Sequence, residues 1–191
     1  GRGLARDSSA ATAGSGTVSQ PSVCIFADLS SYRGVAKEVA PEQLFDIVDK
    51  RIRHAVRAIH RHGGSVSEIA GDAVQAYFPV ETPDDHRPFY DALRAARDIC
   101  DEPDNGKTFA LPFRVGVSSG VIVQGQLGRD EFSQKATLGH ALTEARKLST
   151  LARADEVIMS AKVQDRCTDV VDTTELPRMP IAGLDRASPI H

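Results

Sequence analysis

Five apolar residues in a row, Val23-Cys24-Ile25-Phe26-Ala27, stop abruptly at Asp28. An alternating strand needs cover on one face only, whereas a run without a polar break reads as a strand buried on both faces. The fold must therefore supply packing partners on both sides of this segment. The next stretch offers one. Leu44, Val48, Ile52, Val56 and Ile59 recur at spacings of three and four, so residues 41–62 read as a helix with a single apolar stripe. Pro41 suits its first position, where no N–H donor is needed, and His62-Gly63-Gly64 ends it, since glycine tolerates a left-handed cap.

Residues 65–69 and 73–78 form a hairpin signal around Ala70-Gly71-Asp72. Residues 84–100 read as a second helix, with Pro88 in its first turn or breaking it, and 103–106 as a turn cluster. A further pair of strands is expected at 113–117 and 120–126, a third helix at 140–152, a strand at 157–159 and a short helix near 161–167. The C-terminal stretch carries Pro177, Pro180 and Pro189 and reads as an irregular edge. Residues 1–20, rich in Gly, Ser, Ala and Thr, read as a flexible leader, which leaves one domain over 21–191. The order of elements is that of an α+β fold, with helices packed against one central, mainly antiparallel sheet.

Composition narrows the function classes. At 41% hydrophobic and 26% charged the 191 residues are ordinary for a globular chain. A formal net charge of −3 argues against a general nucleic-acid binder, which wants a basic face. A polyanionic ligand would have to meet local donors or metal ions. An apolar run long enough to cross a membrane is lacking, as is a signal-peptide h-region. Cys24, Cys100 and Cys167 are odd in number and without metal-ligand spacing, which points to a reducing, cytoplasmic setting.

Asp28 closes the first strand and Asp72 sits at the hairpin tip. In a strand–helix–strand unit such a tip can return beside the end of the first strand, placing two carboxylates side by side. Mg²⁺ and Mn²⁺ take oxygen ligands, commonly one or two carboxylates plus substrate phosphates, and two such ions can activate an attacking oxygen and clamp a triphosphate. The segment Leu29-Ser30-Ser31-Tyr32-Arg33-Gly34 is small and polar, and its N–H groups can cradle phosphate oxygens. An aspartate at a strand end or turn is equally a turn former, and spacing alone names no chemistry.

Several motifs, in order, resemble one family. Phe26-Ala27-Asp28-Leu29-Ser30-Ser31-Tyr32 is similar to the F-x-D-(I/L/V)-x-x-(F/Y) opening of class III adenylate and guanylate cyclase domains. His62-Gly63-Gly64, followed by Ile69-Ala70-Gly71-Asp72 and on to Phe78, resembles that family's H-G-G and I-G-D-x-x-x-A-x-F. Arg114-Val115-Gly116-Val117-Ser118-Ser119-Gly120 resembles its R-(I/V)-G-(I/V)-x-x-G, and Gln124-Gly125-Gln126-Leu127-Gly128 its following glycine pair. The resemblance runs from about Val23 to Gly183. It implies a ferredoxin-like core and a head-to-tail homodimer with sites at the interface. The reaction it implies is attack of a ribose 3′-hydroxyl on the α-phosphorus, with release of pyrophosphate. The metal set it implies is Asp28, Leu29 and Asp72, holding two Mg²⁺ or Mn²⁺ ions. Ser30, Ser31 and Tyr32 would lie at the substrate.

The departures from the pattern bear on substrate and rate. Four residues before Asp72, where adenylate cyclases carry Lys, stands Glu68, as in guanylate cyclases. A carboxylate only accepts hydrogen bonds; guanine, cytosine and uracil offer N–H donors, while adenine N1 is an acceptor. The second base-reading position is Ala136, which makes no side-chain hydrogen bond. In the family's G-D-x-V-N-x-x-x-R, Thr143 replaces the ribose-orienting Asn and Lys147 replaces the Arg that stabilises the phosphorus, a swap that loses the planar fork. Arg146, adjacent, reads as a helix-surface charge. The late triphosphate Lys falls at Ala182; Arg129 or Arg186 are the candidate replacements. The readings that follow are a cyclase acting on GTP or a pyrimidine triphosphate, and a pseudo-cyclase that binds nucleotide without turnover. The pyrimidine option resembles stand-alone bacterial enzymes that make cyclic CMP or cyclic UMP for a downstream effector in anti-phage signalling. The Gly-Gly-(Asp/Glu)-Glu-Phe signature of diguanylate cyclases is missing, since Ser65-Val66 follow Gly63-Gly64.

Overall fold

A computed structural model describes residues 16–101, 111–167 and 187–190. Strand β1 (Val18–Leu29) leads into a single turn, α1 (Tyr32–Val35), and the long helix α2 (Pro41–Arg61). The hairpin β2 (Ser65–Ala70) and β3 (Ala73–Pro79) precedes α3 (Arg87–Cys100). Then come β4 (Phe113–Leu127), a 3₁₀ turn at Asp130–Phe132, β5 (Gln134–Leu138), α4 (His140–Leu151), β6 (Glu156–Ser160), α5 (Ala161–Asp165) and β7 (Ala187–Ile190). The sheet runs β2-β3-β1-β4-β6-β7, with β5 paired to the far half of β4. All pairings are antiparallel except β4 with β6.

β1 is buried on both faces, as its unbroken apolar run requires. Val23, Ile25 and Ala27 join β3 and β4 residues under α2 and α3, in the larger core with Ile59, Phe78, Ile99, Phe113 and Val115. Cys24 and Phe26 point the other way and pack with Ala73 and Ile122 against Ala141, Leu142 and Ala145 of α4. Each fully buried aliphatic side chain here contributes on the order of 1.5–3 kcal/mol. All three cysteines are free and buried. Burial pushes the Cys24 and Cys100 thiols up to about 12 and Cys167 to about 11, so they stay protonated and act as apolar filler.

Local chemistry sets the boundaries. The Gln43 side chain accepts from the Ala40 N–H at 3.2 Å to open α2 behind Pro41. At its other end His62 Nε2 lies 2.8 Å from Asp98 Oδ2 of α3, tying the two helices together. The hairpin turns on Gly71, whose φ of +61° is cheap only for glycine. The second helix begins at Arg87, later than the expected 84, because Pro88 occupies its first turn and the Asp85 carboxylate caps the Arg87 N–H at 3.1 Å.

Four expectations are corrected. Residues 113–127 are one strand, not a pair: β1 pairs with it without interruption from Leu29↔Phe113 to Val18↔Gln124. Ser118-Ser119-Gly120 looks like a turn in sequence, but its small side chains make room for α4. The true partner of the distal half is β5, whose sequence QKATL alternates over only four residues, too short a run to stand out. β1 begins at Val18, so residues 18–20 belong to the sheet and not to a leader; residues 1–15 lie outside the described residues. Of the C-terminal stretch only residues 187–190 are described, and these form a regular strand, with Pro189 on β7 at the sheet margin, where a missing N–H is tolerated. The 103–106 turn cluster, Pro177, Pro180, Ala182 and Arg186 also lie outside the described residues.

Candidate active site

The sheet brings the two aspartates together. Asp28 is the register partner of Ala73, and the Leu29 N–H donates to the Asp72 carbonyl at 3.0 Å, so the hairpin tip lies against the end of β1. The Asp28 side chain is 18% exposed, and its Oδ2 accepts from Nη2 of Arg114, its partner across the ladder on β4. Among the described residues the other carboxylate oxygen, Asp28 Oδ1, is buried without a hydrogen-bond partner, and so is Arg114 Nε. Asp72 is half-buried.

An orphaned buried carboxylate oxygen is unusual and wants an explanation. Hard divalent cations require oxygen donors that are not already spent. Asp28 Oδ1 is such a donor, and the Asp72 carboxylate and the Leu29 carbonyl are further oxygens at the same end of β1. No group of three or more His, Cys, Asp or Glu side chains that would cage an ion occurs among the described residues. Two carboxylates and one carbonyl would leave the remaining coordination positions of such an ion to oxygens from a substrate or solvent.

Part of the expected phosphate cradle is already committed. The Leu29 N–H goes to Asp72, and both the N–H and the hydroxyl of Ser30 donate to the Pro112 carbonyl, at 2.8 and 3.1 Å. Any cradle is thus restricted to Ser31, Tyr32 and Arg33 at the opening of α1, where Ser31 takes a left-handed φ of 64°.

The remaining predicted residues distribute over the same face of the sheet and its distal arm. Residues in register share a face, and one rung reads Glu68–Gln75–Phe26–Gly116. Glu68 is exposed on edge strand β2, just past a bulge held by Ser67, whose hydroxyl donates to the Gln75 carbonyl at 3.1 Å. Helix α4 lies over this face. It can do so because position 116 is glycine: a Cβ there would run into the Ala145 carbonyl and the Ser149 amide. Buried Ser118 donates to Glu144 and fixes the helix further. α4 presents Thr143, exposed, whose hydroxyl is 3.5 Å from the Gly139 carbonyl, and Lys147, half-buried one turn on.

Arg146 is exposed on α4, as a surface charge should be, and its guanidinium also lies 5.3 Å from the Phe26 ring centroid, over β1. Its position three residues after Thr143 was the available signal, since such residues share a helix face. Ala136 lies on β5 opposite Gly125, and in one protomer β3, β1 and β4 stand between it and Glu68. Arg129 is exposed beyond the distal end of β4, about 40 Å along that strand from Arg114, out of reach of its own protomer's aspartates.

Comparison with known proteins agrees with this fold. The adenylate and guanylate cyclase catalytic domain model matches residues 17–188. Two uncharacterized proteins of Mycobacterium tuberculosis are similar, at 26% identity over 144 residues and 27% over 130, covering 75% and 68% of this chain. The chain spans only about a third or less of their length, 34% and 24%. Among solved structures, the adenylyl cyclase CyaB of P. aeruginosa superposes with a TM-score of 0.81 at 17% identity, covering 92% of this chain and 95% of its own. The guanylate cyclase domain of RhGC from Catenaria anguillulae, solved with GTP, gives 0.80 at 20%, covering 91% and 98%. A dimeric guanylyl cyclase domain of the Blastocladiella emersonii RhoGC fusion protein gives 0.77 at 18%, covering 91% and 97%. These identities speak for the fold, and the model match over almost the whole described chain speaks for descent. With two carboxylates at the end of β1 and α4 laid over the adjoining face, the chain belongs to the adenylate and guanylate cyclase catalytic domain family.

Proposed function

We propose that this domain is a metal-dependent nucleotidyl cyclase that works as a homodimer on a nucleoside triphosphate other than ATP, giving a 3′,5′-cyclic mononucleotide and pyrophosphate. The observation that carries the reading is the paired site of Asp28 and Asp72 with its unpartnered buried oxygen. Mg²⁺ or Mn²⁺, two ions per site, would be held by Asp28, Leu29 and Asp72 and would neutralise charge on the triphosphate. The chain's own groups do the rest. Ser31 and Tyr32 bound the phosphate end. Glu68 accepts from the base edge and repels adenine N1. Thr143 offers a hydroxyl to the ribose, and Lys147, one turn on along α4, carries positive charge toward the reacting phosphorus. Reactions of this type depend on positioning and charge far more than on covalent chemistry.

Glu68 favours GTP. Ala136 favours a second reading, a CTP or UTP cyclase, because it removes half of the purine readout; a cyclic pyrimidine nucleotide would then act on a downstream effector in anti-phage signalling. The dimer is supported by the distal arm. Val121, Val123, Leu127, Phe132 and Leu138 are all exposed there, an apolar concentration of the kind that marks contact surfaces. In the dimer the aspartates of one protomer meet Glu68, Thr143 and Lys147 of the other, and the arm brings Arg129 to its partner's site.

Mixing inactive chains tests this. Asp72→Ala and Lys147→Ala proteins are each expected to be inactive, and their mixture to regain about a quarter to a half of wild-type turnover through one intact site per heterodimer. Absence of rescue, with heterodimers present by mass, would contradict the shared site.

A further inference from the structure

Arg114 and Asp28 form a pair that is only half made. They are direct cross-strand partners, with side chains 31% and 18% exposed. An arginine facing a carboxylate normally closes two parallel hydrogen bonds. Here one is closed, Nη2 to Oδ2, while Nε and Oδ1 are both buried and, among the described residues, both without a partner. A guanidinium cannot lose its charge, so Arg114 stands as a permanent cation on the oxygen pair from which the metal site is built.

We propose that Arg114 is an internal counter-ion that holds Asp28 while no metal is bound and must swing off when one binds, so that it sets the metal affinity of the nucleotide-free protein. This inference rests on the metal-site reading of Asp28 and Asp72 given above. The physical case is one of competition. Leaving Asp28 at this depth with no cation would be costly, since a buried charge stripped of its partner destabilises the fold. A divalent ion and a guanidinium on the same carboxylate repel each other strongly at low effective dielectric. The fold needs one cation at Asp28 at all times, and the two compete for it. A single closed hydrogen bond makes Arg114 the one that can leave: departure breaks one bond, and Oδ1 stays open for the incoming ion. Arg114 is thus a positioning residue for the metal, and it keeps the site weak until a substrate bearing its own phosphates adds ligands.

The test is Mn²⁺ binding to nucleotide-free protein, read by paramagnetic resonance of free Mn²⁺. Arg114→Gln is expected to bind about tenfold more tightly than wild type, the scale on which one adjacent charge shifts another's equilibrium. Arg114→Lys, which keeps the charge, should stay near wild type, and the gain should vanish in Asp28→Ala/Arg114→Gln. Equal or weaker binding by Arg114→Gln, with Asp28-dependent binding in wild type, overturns the competition and leaves the metal site standing. Absence of Asp28-dependent binding in every variant overturns both. Should Arg114→Gln fold poorly, wild type still decides: Mg²⁺ titration should shift the Arg114 Nε–H resonance, and an unmoved resonance at saturating Mg²⁺ contradicts the proposal. Neither measurement requires turnover, so a protein that binds metal as described yet makes no cyclic product would fail as a cyclase only.

Discussion

Asp28 has a structural partner as well as a proposed ligand role, and this changes what its replacement does. From sequence, both aspartates lie outside the apolar core, and alanine at either is expected to spare the fold. The structure separates them. Asp28→Ala leaves the Arg114 guanidinium half-buried and unpaired and should cost about 1–3 kcal/mol in urea denaturation besides abolishing turnover. Removing Arg114 as well should return part of that loss, whereas Asp72→Ala should abolish turnover with little change in stability. Equal stability of the two single variants would show that the Arg114 pair carries no weight. The aspartates were legible because a strand end and a hairpin tip have readable signatures. Arg114 was not singled out, because its role depends on lying opposite Asp28 in a ladder whose register no local pattern reveals. The contact of exposed Arg146 with Phe26 was hidden for a related reason: the ring beneath a helix-face charge is not known until the helix is placed.

Helices and strands show where periodicity suffices and where it fails. α2 and β1 were readable because one apolar stripe and one unbroken apolar run each admit a single kind of burial. The continuity of β4 was not, since Ser118-Ser119-Gly120 has turn composition and owes its extended form to β1 on one side and α4 above. β5 was missed because its alternation, Lys135-Ala136-Thr137-Leu138, is too short and too weakly apolar to stand out. The α2–α3 contact adds a pH dependence. His54 Nε2 donates to the Asp98 carbonyl at 2.7 Å, and burial, opposed by this bond and aided by Arg51 and Arg57, lowers its pKa from the ordinary 6.5. The folded protein therefore resists a proton that the unfolded chain accepts, and stability falls as pH drops through 6.5 and below. His54→Gln should flatten the thermal-midpoint curve below pH 6.5. An unchanged slope would mean that His54 does not report the packing of these helices.

At the scale of the molecule the open question is what covers the distal arm. Exposed apolar side chains on β4 and β5 are poorly explained by a lone protomer. Leu138→Asp, at a side chain 56% exposed, should leave the thermal midpoint within a few degrees and shift the sedimenting species toward monomer, with turnover falling in step. A monomeric wild type with full activity would dispose of the shared site. The α+β class, the single mainly antiparallel sheet and the family likeness were legible because several motifs recur in order along the chain. The exposed apolar patch on the distal arm was not, because a patch built from strand ends and a turn has no contiguous signature; the homodimer itself was an expectation of the family resemblance alone. Among the described residues, no helix is long and apolar enough to cross a membrane.

One measurement bears most directly on the proposed chemistry: incubation with Mn²⁺ and each of ATP, GTP, CTP and UTP in turn, with 3′,5′-cyclic products read by mass spectrometry and Asp28→Ala as the matched control. A cyclic product from GTP or from a pyrimidine triphosphate, little or none from ATP, and none from the control is the expected result. No cyclic product from any of the four, by protein that binds Mn²⁺ through Asp28, would contradict it and make this a nucleotide-binding pseudo-cyclase.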